Sequence, residues 1–260
     1  MPNLLVVKIG GSTLGQHDTT LADIVSLQKS GVQVVVVHGG GKIITEWLAK
    51  LGAATQFVKG ERVTDRTGLE VTNAVLSGVV NKDLAASINS LGGRAVGISG
   101  VDGALFQGRA KSADLGYVGE IVRVDTALVE SLLKSGFVPV ISSISLNSFE
   151  RPEGAPLLLN VNADTAAGEI AAALKAAKLI FLTDIAGVCD KSGKVIASMN
   201  STEAEAAIAS GMASGGMIPK IRAAIRALSS VRESRIIDGR QPHALLCELE
   251  RSAGGTTIVK

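Results

Sequence analysis

The sequence predicts an α/β fold with a mainly parallel sheet covered by helices, and three features carry that prediction. Apolar runs at residues 4–9, 34–37 and 179–183 do not alternate with polar residues, so they read as strands buried on both faces. Segments of helical period lie between them. Glycines stand where strands or loops hand the chain to a turn or a helix, at 10–11, 39–41 and 215–216. Strand, helix, strand, helix is the order of βαβ units, which set their strands in parallel.

Residues 4–9 form the first strand, stopped by Gly10-Gly11-Ser12. Leu21, Ile24, Val25 and Gln28 then share one face of a helix that Gly31 ends. The chain is organised around VVVVHGGGK at 34–42. A buried valine strand meets a glycine triplet, which permits positive φ and close backbone approach to a ligand. A helix follows at once, with Ile44, Trp47, Leu48 and Leu51 at i, i+3, i+4 and i+7, until Gly52. A polar loop covers 59–65. The next stretch is helical, with a break expected near Gly78, and Leu76, Val80, Leu84, Ile88 and Leu91 form its apolar stripe.

Residues 96–99 make a strand, and 105–125 alternate as short hairpin strands turning at Gly116 and Gly119. Leu128, Val129, Leu132 and Leu133 mark a helix closed by Gly136, ahead of a strand at 137–141. The Ser/Pro-rich stretch 143–156 reads as a loop forming a pocket wall. Residues 157–159 lead into Asn160-Val161-Asn162-Ala163-Asp164 and an alanine-rich helix to about residue 177. A strand at 179–183 ends at Asp184. Thr202 and Glu205 have capping-box spacing. Gly215-Gly216 precede a helix carrying Ile218, Ile221, Ile225 and Leu228, with Pro219 tolerated in its first turn. Strands at 236–237 and 256–259 close the chain.

At 260 residues the chain can bury roughly three quarters of its extended surface, so it needs no disulfide staples. Its two cysteines, Cys189 and Cys247, have no metal-type spacing, and histidines 17, 38 and 243 are scattered. A net charge of +2 with interspersed signs and only 3% aromatics gives neither the basic stripe nor the stacking platform of a nucleic-acid surface. No apolar run approaches the ~18 residues of a membrane span, and no charged leader precedes an apolar segment. The expectation is a cytoplasmic enzyme or small-molecule binder.

A strand, a glycine nest and a helix N-terminus together make an anion site, although three glycines alone also suit a bare tight turn. Lys8 interrupts a buried apolar strand, where an unpaired ammonium is costly, so a phosphate or carboxylate would supply its counter-charge. Lys220 lies one turn into a helix, a place where lysine is ordinarily solvated. Arg62 could capture a carboxylate through its two-pronged guanidinium. Asn160, Asn162 and Asp164 share one face if the backbone is extended, while helix capping would use one of them. There is no G-x-x-x-x-G-K-[ST], and Ile44 stands where a G-x-G-x-x-G would need its last glycine. His38-Gly39-Gly40-Gly41 matches the oxyanion loop of esterases, but no G-x-S-x-G elbow accompanies it.

VVKIGG, VVVVHGGGK, ERVTD, NVNAD, LTDIAGV and GGMIPK, in this order from Leu5 to Val259, resemble the amino acid kinase family. The resemblance implies an open αβα sandwich that phosphorylates a carboxylate with ATP and Mg2+, the metal held mainly through the nucleotide phosphates. NVNAD with GGMIPK points within the family to N-acetyl-L-glutamate as acceptor. Lys8 and Lys220 would stabilise the phosphoryl group in flight, Asp164 would orient them, and the backbones at Gly11 and Gly40 would donate to phosphate oxygens. Gly40, Gly41, Arg62, Asn160 and Asn162 would hold the acceptor. Asp184, Ile185, Gly187, Val188, Cys189, Met212, Ala213 and Ser214 would line the nucleotide pocket.

Residues 1–176 would form an acceptor-binding and dimerising lobe, and 177–260 an ATP-binding lobe. Two departures from the pattern stand out: Glu61 precedes the arginine where an apolar residue is usual, and Pro219 precedes Lys220. A carrier-bound glutamate or aminoadipate kinase, or a silent sensor on the same fold, are the competing readings. In the family, an N-terminal helix ahead of the first strand accompanies arginine inhibition and a hexameric ring. The first strand here begins at about Leu4, so the expectation is a homodimer that arginine does not inhibit, with the stretch from Leu69 to Leu91 as a candidate for part of the contact unless the sheet consumes its whole stripe.

Overall fold

A computed structural model of the protein describes residues 3–10, 19–58, 60–251 and 254–260. Strand β1 (Leu4–Ile9) leads to α1 (Thr20–Lys29), β2 (Gln33–His38) and α2 (Gly41–Lys50). The expected polar loop holds a hairpin of β3 (Phe57–Val58) and β4 (Glu61–Arg62). A helical column follows, made of α3 (Arg66–Asn73), a π-helical segment at Ala74–Val80 and α4 (Asn81–Ser90). Then come β5 (Ala95–Ser99), β6 (Phe106–Ala110), β7 (Gly119–Val124), α5 (Ala127–Lys134), β8 (Val138–Ser142), β9 (Ile144–Asn147) and β10 (Leu158–Asn160). The chain continues through α6 (Ala163–Ala173), β11 (Lys178–Thr183), β12 (Ser198–Asn200), α7 (Ser201–Ala209) and α8 (Met217–Ala227). It closes with β13 (Glu233–Asp238), α9 (Ala244–Arg251) and β14 (Thr256–Val259).

The main sheet has eight strands in the order β12-β14-β13-β11-β1-β2-β8-β5, parallel throughout except for β13 against β14. Its apolar runs are buried on both faces, as expected. Leu4, Val6, Val35 and Val37 pack into one core with α6 and α8, while Leu5, Val7, Val34 and Val36 pack into a second with α1 and α4. Alternate residues of a strand therefore serve opposite layers, which makes an αβα sandwich. A second sheet, β10-β9-β6-β7, sits at one end and contains the expected 105–125 hairpin. Among the described residues no helix is long and apolar enough to cross a membrane.

Several local expectations are corrected. The column at 66–90 is not broken near Gly78; it widens to a π-helix there and continues. Its apolar stripe is consumed inside the fold, with Leu76, Val80, Leu84 and Ile88 buried, so only Leu91 is exposed for an external contact. Trp47 and Leu51 of the α2 stripe also face solvent, while Ile44 and Leu48 are buried. The 143–156 loop begins as a strand, because buried Ser145 Oγ donates to the carbonyl of Phe106 instead of needing water. The capping box belongs to Asn200 and Glu203, not to Thr202 and Glu205. The alanine-rich helix stops at Ala173, four residues early, and Lys175 turns away at φ 51°. Helix α9 was not foreseen. It is tied under β13 by a buried ion pair, Arg235 Nε to Glu248 Oε1 at 2.6 Å.

One packing contact matters most for the site. Helices α6 and α8 cross on small residues, and a Cβ at Gly168 would come within 2.7 Å of the Ala223 carbonyl oxygen. The backbones can touch only because no side chain intervenes. Gly168→Val is expected to lose about 2–3 kcal/mol of stability, the scale of core overpacking. Gly78→Ala, where an added Cβ meets nothing within 4 Å, is expected to be neutral or stabilising; urea unfolding midpoints of the two variants check the contrast.

Candidate active site

Asn162 caps α6, its Oδ1 accepting from the backbone N–H of Asp164 at 2.9 Å and of Thr165 at 3.1 Å. It is thus the capping residue of the NVNAD run, and its cap sets Asp164 in the first helical turn against β1. Lys8 Nζ lies 2.8 Å from Asp164 Oδ1, and Lys220 Nζ, reaching from α8, donates to Oδ2 at 3.1 Å. Three residues scattered along the sequence meet at one carboxylate. Burial alone would push the Asp164 carboxyl up, but the charges and hydrogen bonds of the two lysines hold it below the ordinary carboxylate range. Two ammoniums around one carboxylate leave a net positive charge, and a carboxylate so strongly held is a poor proton acceptor.

Beside this cluster, linked to it through Asn162 and Ala163, lies a cavity of about 180 Å³. Gly39, Gly40, Gly41, Arg62, Asn160 and Asn162 all line it. Arg62 is buried, pinned by the hairpin so that one terminal nitrogen donates to Gly41 O at 2.9 Å and to Thr45 Oγ1 at 2.8 Å. The other donates to Thr55 Oγ1 at 3.2 Å, and the Phe57 ring lies beneath the guanidinium. All these acceptors are neutral; no carboxylate pairs with Arg62 among the described residues, and burial pulls its pKa down. Nε–H and one terminal N–H remain for a ligand. Glu61 is the one acidic residue in the lining, and it is engaged by Lys111 at 2.7 Å. That ion pair explains why an acid can replace the usual apolar residue there.

The glycine turn works differently from expectation. None of Gly39, Gly40 and Gly41 has positive φ. Gly40 is needed for close approach instead, since a Cβ would come within 2.8 Å of Leu76 Cδ2 and 3.2 Å of Val80 Cγ2. A Cβ at Gly41 would meet nothing within 4 Å although Gly41 lines the cavity, so the space there is left open. Helix α2 starts at Gly41 with no side-chain cap, and its first N–H groups are available to an anion. Gly11, the other expected backbone donor, lies outside the described residues.

The nucleotide residues are less gathered. Asp184 and Ile185 are exposed just beyond β11, while Val188 and Ala213 are buried side chains of the core below. Val188 N–H donates to Thr256 Oγ1 at 2.8 Å, which ties this segment to β14. Met212 lines a groove that it shares with Ile196 and Met199. Residues that motif reading missed include Thr45, Thr55 and Thr64, which hold Arg62 and Asn160. Their only sequence signal is an unusual density of threonines around the hairpin. Ser143 and Val118 also line the acceptor cavity unforeseen.

His38 was set aside as an esterase-like feature. It is buried, Nδ1 lies 3.0 Å from the Gly39 carbonyl oxygen, and Nε2 lies 3.1 Å from Asn81 Nδ2. Burial, helped by the charges of Lys8 and Lys82 and opposed by the Gly39 hydrogen bond, pushes its pKa down to about 4.

A sequence profile of the amino acid kinase family matches residues 3–238. The chain belongs to the amino acid kinase family. It is 45% identical to an acetylglutamate kinase of Dehalococcoides mccartyi, over 99% of this chain and 94% of that one. An acetylglutamate kinase of Cereibacter sphaeroides is 44% identical over 99% and 87% of the two chains. Among solved structures it is similar to smu.665 of Streptococcus mutans, at TM-score 0.84 and 28% identity over 100% and 99% of the chains. N-acetylglutamate synthase from Neisseria gonorrhoeae, complexed with coenzyme A and N-acetyl-glutamate, matches at TM-score 0.84 and 27% identity over 100% of this chain and 60% of that one. Its open αβα sandwich is therefore the amino acid kinase fold.

For this kinase the depressed His38 has a measurable consequence. Between pH 6.5 and about 4 the unfolded chain binds a proton there that the folded protein does not, so stability falls as pH falls through that window. The wild-type protein is expected to lose up to about 3 kcal/mol by this route, and His38→Asn to lack that contribution. Urea titrations of both proteins at pH 7 and pH 5 measure the difference, which excludes carboxylate effects common to the two.

Proposed function

We propose that this chain uses ATP to phosphorylate the side-chain carboxylate of N-acetyl-L-glutamate, yielding N-acetylglutamyl 5-phosphate for arginine biosynthesis. One observation carries the reading beyond similarity: a buried Arg62 with no carboxylate of its own faces the same cavity that ends beside the Lys8–Asp164–Lys220 cluster. Positive charge at two ends suits a dicarboxylate. Among the described residues the lining has no unengaged acid to pair with an ammonium, which favours an acylated amine over free glutamate.

In this reading the Arg62 fork takes the α-carboxylate, and Asn160, Asn162, Gly40 and Gly41 hold the remainder. The side-chain carboxylate then points at the lysines. It is already ionised near pH 7, so no general base is needed. Lys8 and Lys220 neutralise charge on the phosphoryl group during transfer, Asp164 keeps both ammoniums aimed, and the Gly40 and Gly11 N–H groups donate to its oxygens. ATP would occupy the lobe formed by 177–260, against Asp184–Cys189 and Met212–Ser214, opposite the acceptor lobe of 1–176. Mg2+ would enter with the nucleotide, held mainly through its phosphates. We assign the protein to the cytoplasm as a homodimer, which light scattering can check.

A coupled ADP-release assay tests the acceptor: turnover is expected with N-acetylglutamate and little with glutamate or aspartate. No ADP release with any acceptor would favour a silent sensor. Lys8→Ala and Lys220→Ala are each expected to lower kcat by roughly 10²–10³-fold, the loss seen for one pre-organised transition-state donor; near-normal turnover would remove that lysine from the mechanism. Arg62→Lys is expected to raise KM for acetylglutamate about tenfold or more while KM for ATP changes little, because an ammonium cannot reproduce the fork. Initial rates with each substrate varied in turn separate this from a general structural defect.

A further inference from the structure

His38 closes β2 and stands behind the glycine turn, outside the lining of the acceptor cavity that Gly39 and Gly40 share. A carbonyl oxygen can only accept, so the contact to Gly39 O requires the proton on Nδ1. The other end of the ring agrees. Asn81 Nδ2 also reaches the carbonyls of Ile98 at 3.0 Å and Val140 at 2.9 Å, so three acceptors share its two protons; an amide nitrogen cannot accept, so a proton on Nε2 of His38 would find no acceptor there. Both ends therefore select one neutral tautomer.

That tautomer has a geometric effect. The peptide joining Gly39 to Gly40 is planar and trans, so its C=O and N–H point in opposite directions. Drawing the Gly39 oxygen back to His38 turns the Gly40 N–H forward into the cavity. The π-helical segment supplies the backing. Residues five apart share a face in a π turn, whereas three or four apart do so in an α-helix. Leu76, whose methyl packs on Gly40, and Asn81 are five apart and both brace the turn. Gly97 lacks the Cβ that would collide with the Asn81 amide.

We propose that His38 and Asn81 are positioning residues for phosphoryl transfer: they hold the Gly39 carbonyl on the core side and thereby aim the Gly40 N–H at the transferring phosphate. This rests on the kinase reading above. Neither side chain touches substrate; each acts through the peptide.

Side-chain isosteres separate positioning from packing. Asn at 38 places an N–H near the lost Nδ1, Gln places one near the lost Nε2, and Phe keeps the ring with no donor. His38→Asn is expected to keep kcat within about fivefold, while His38→Gln and His38→Phe lose about 10–100-fold, the cost of a misplaced reacting group. KM for either substrate should change by less than about threefold. Long-range 1H–15N spectra of the wild-type protein, with His38 assigned by its loss in His38→Asn, should show a neutral ring protonated at Nδ1 at pH 7.

A ring protonated at Nε2, or a His38→Phe variant at least as fast as His38→Asn, overturns the proposal. The spectrum decides even if a variant fails to fold. Absence of wild-type turnover with acetylglutamate would instead defeat the kinase reading, and the ring tautomer would still decide whether His38 holds Gly39.

Discussion

A carboxylate withdrawn from water with an ammonium on each oxygen is the constraint around which this molecule is arranged. Asp164 is buried, and the lysines that neutralise it come from a strand near the start of the chain and a helix near its end. Removing Asp164 would leave two neighbouring ammoniums uncompensated, a much larger cost than losing a surface ion pair. The geometry must therefore be held firmly. Asn162 fixes the start of α6, β1 is locked between β2 and β11, and the bare backbone at Gly168 lets α8 approach closely enough for Lys220 to reach. The cluster keeps a surplus positive charge, which is what the proposed phosphoryl transfer would draw on.

The acceptor cavity uses the same physics at its other end. Arg62 is desolvated but, among the described residues, meets only neutral oxygens, so part of its hydrogen-bonding capacity and its charge remain unanswered there. Burying a cation this way costs stability, and a bound carboxylate would recover it. The chemistry asks for little else. Phosphoryl transfer to an ionised carboxylate depends on positioning and charge, in keeping with a buried His38 that is kept neutral and contacts the Gly39 carbonyl.

Much of the fold was legible because its signals are local. The unalternating valines of β2 could only be a strand covered on both faces, and the sandwich covers them on both. Glycine pairs marked where elements end. Periodicity stayed open where two solutions satisfy it equally. The stripe from Leu76 to Ile88 suits a partner or the sheet, since one helix face can serve either, and here the sheet takes it. The π-helical widening left no trace, since Gly78 reads as a break in any one-dimensional pattern. Ser145 looked like loop because its hydroxyl is satisfied by the Phe106 carbonyl, which is distant in sequence.

The sequence by itself determined most of the strands and helices and the order of the motifs, because strand burial, helical period and motif order are properties of short segments. Only the tertiary structure decided which charges meet. That Asn162 caps while Asp164 receives two lysines, that Arg62 is buried without a counter-ion, and that His38 faces a carbonyl instead of a ligand all follow from sheet order and helix crossing. Those are set by contacts between residues more than a hundred positions apart in the case of Lys8 and Asp164. No local pattern encodes a distance of that kind, because it is fixed jointly by the packing of every layer between them.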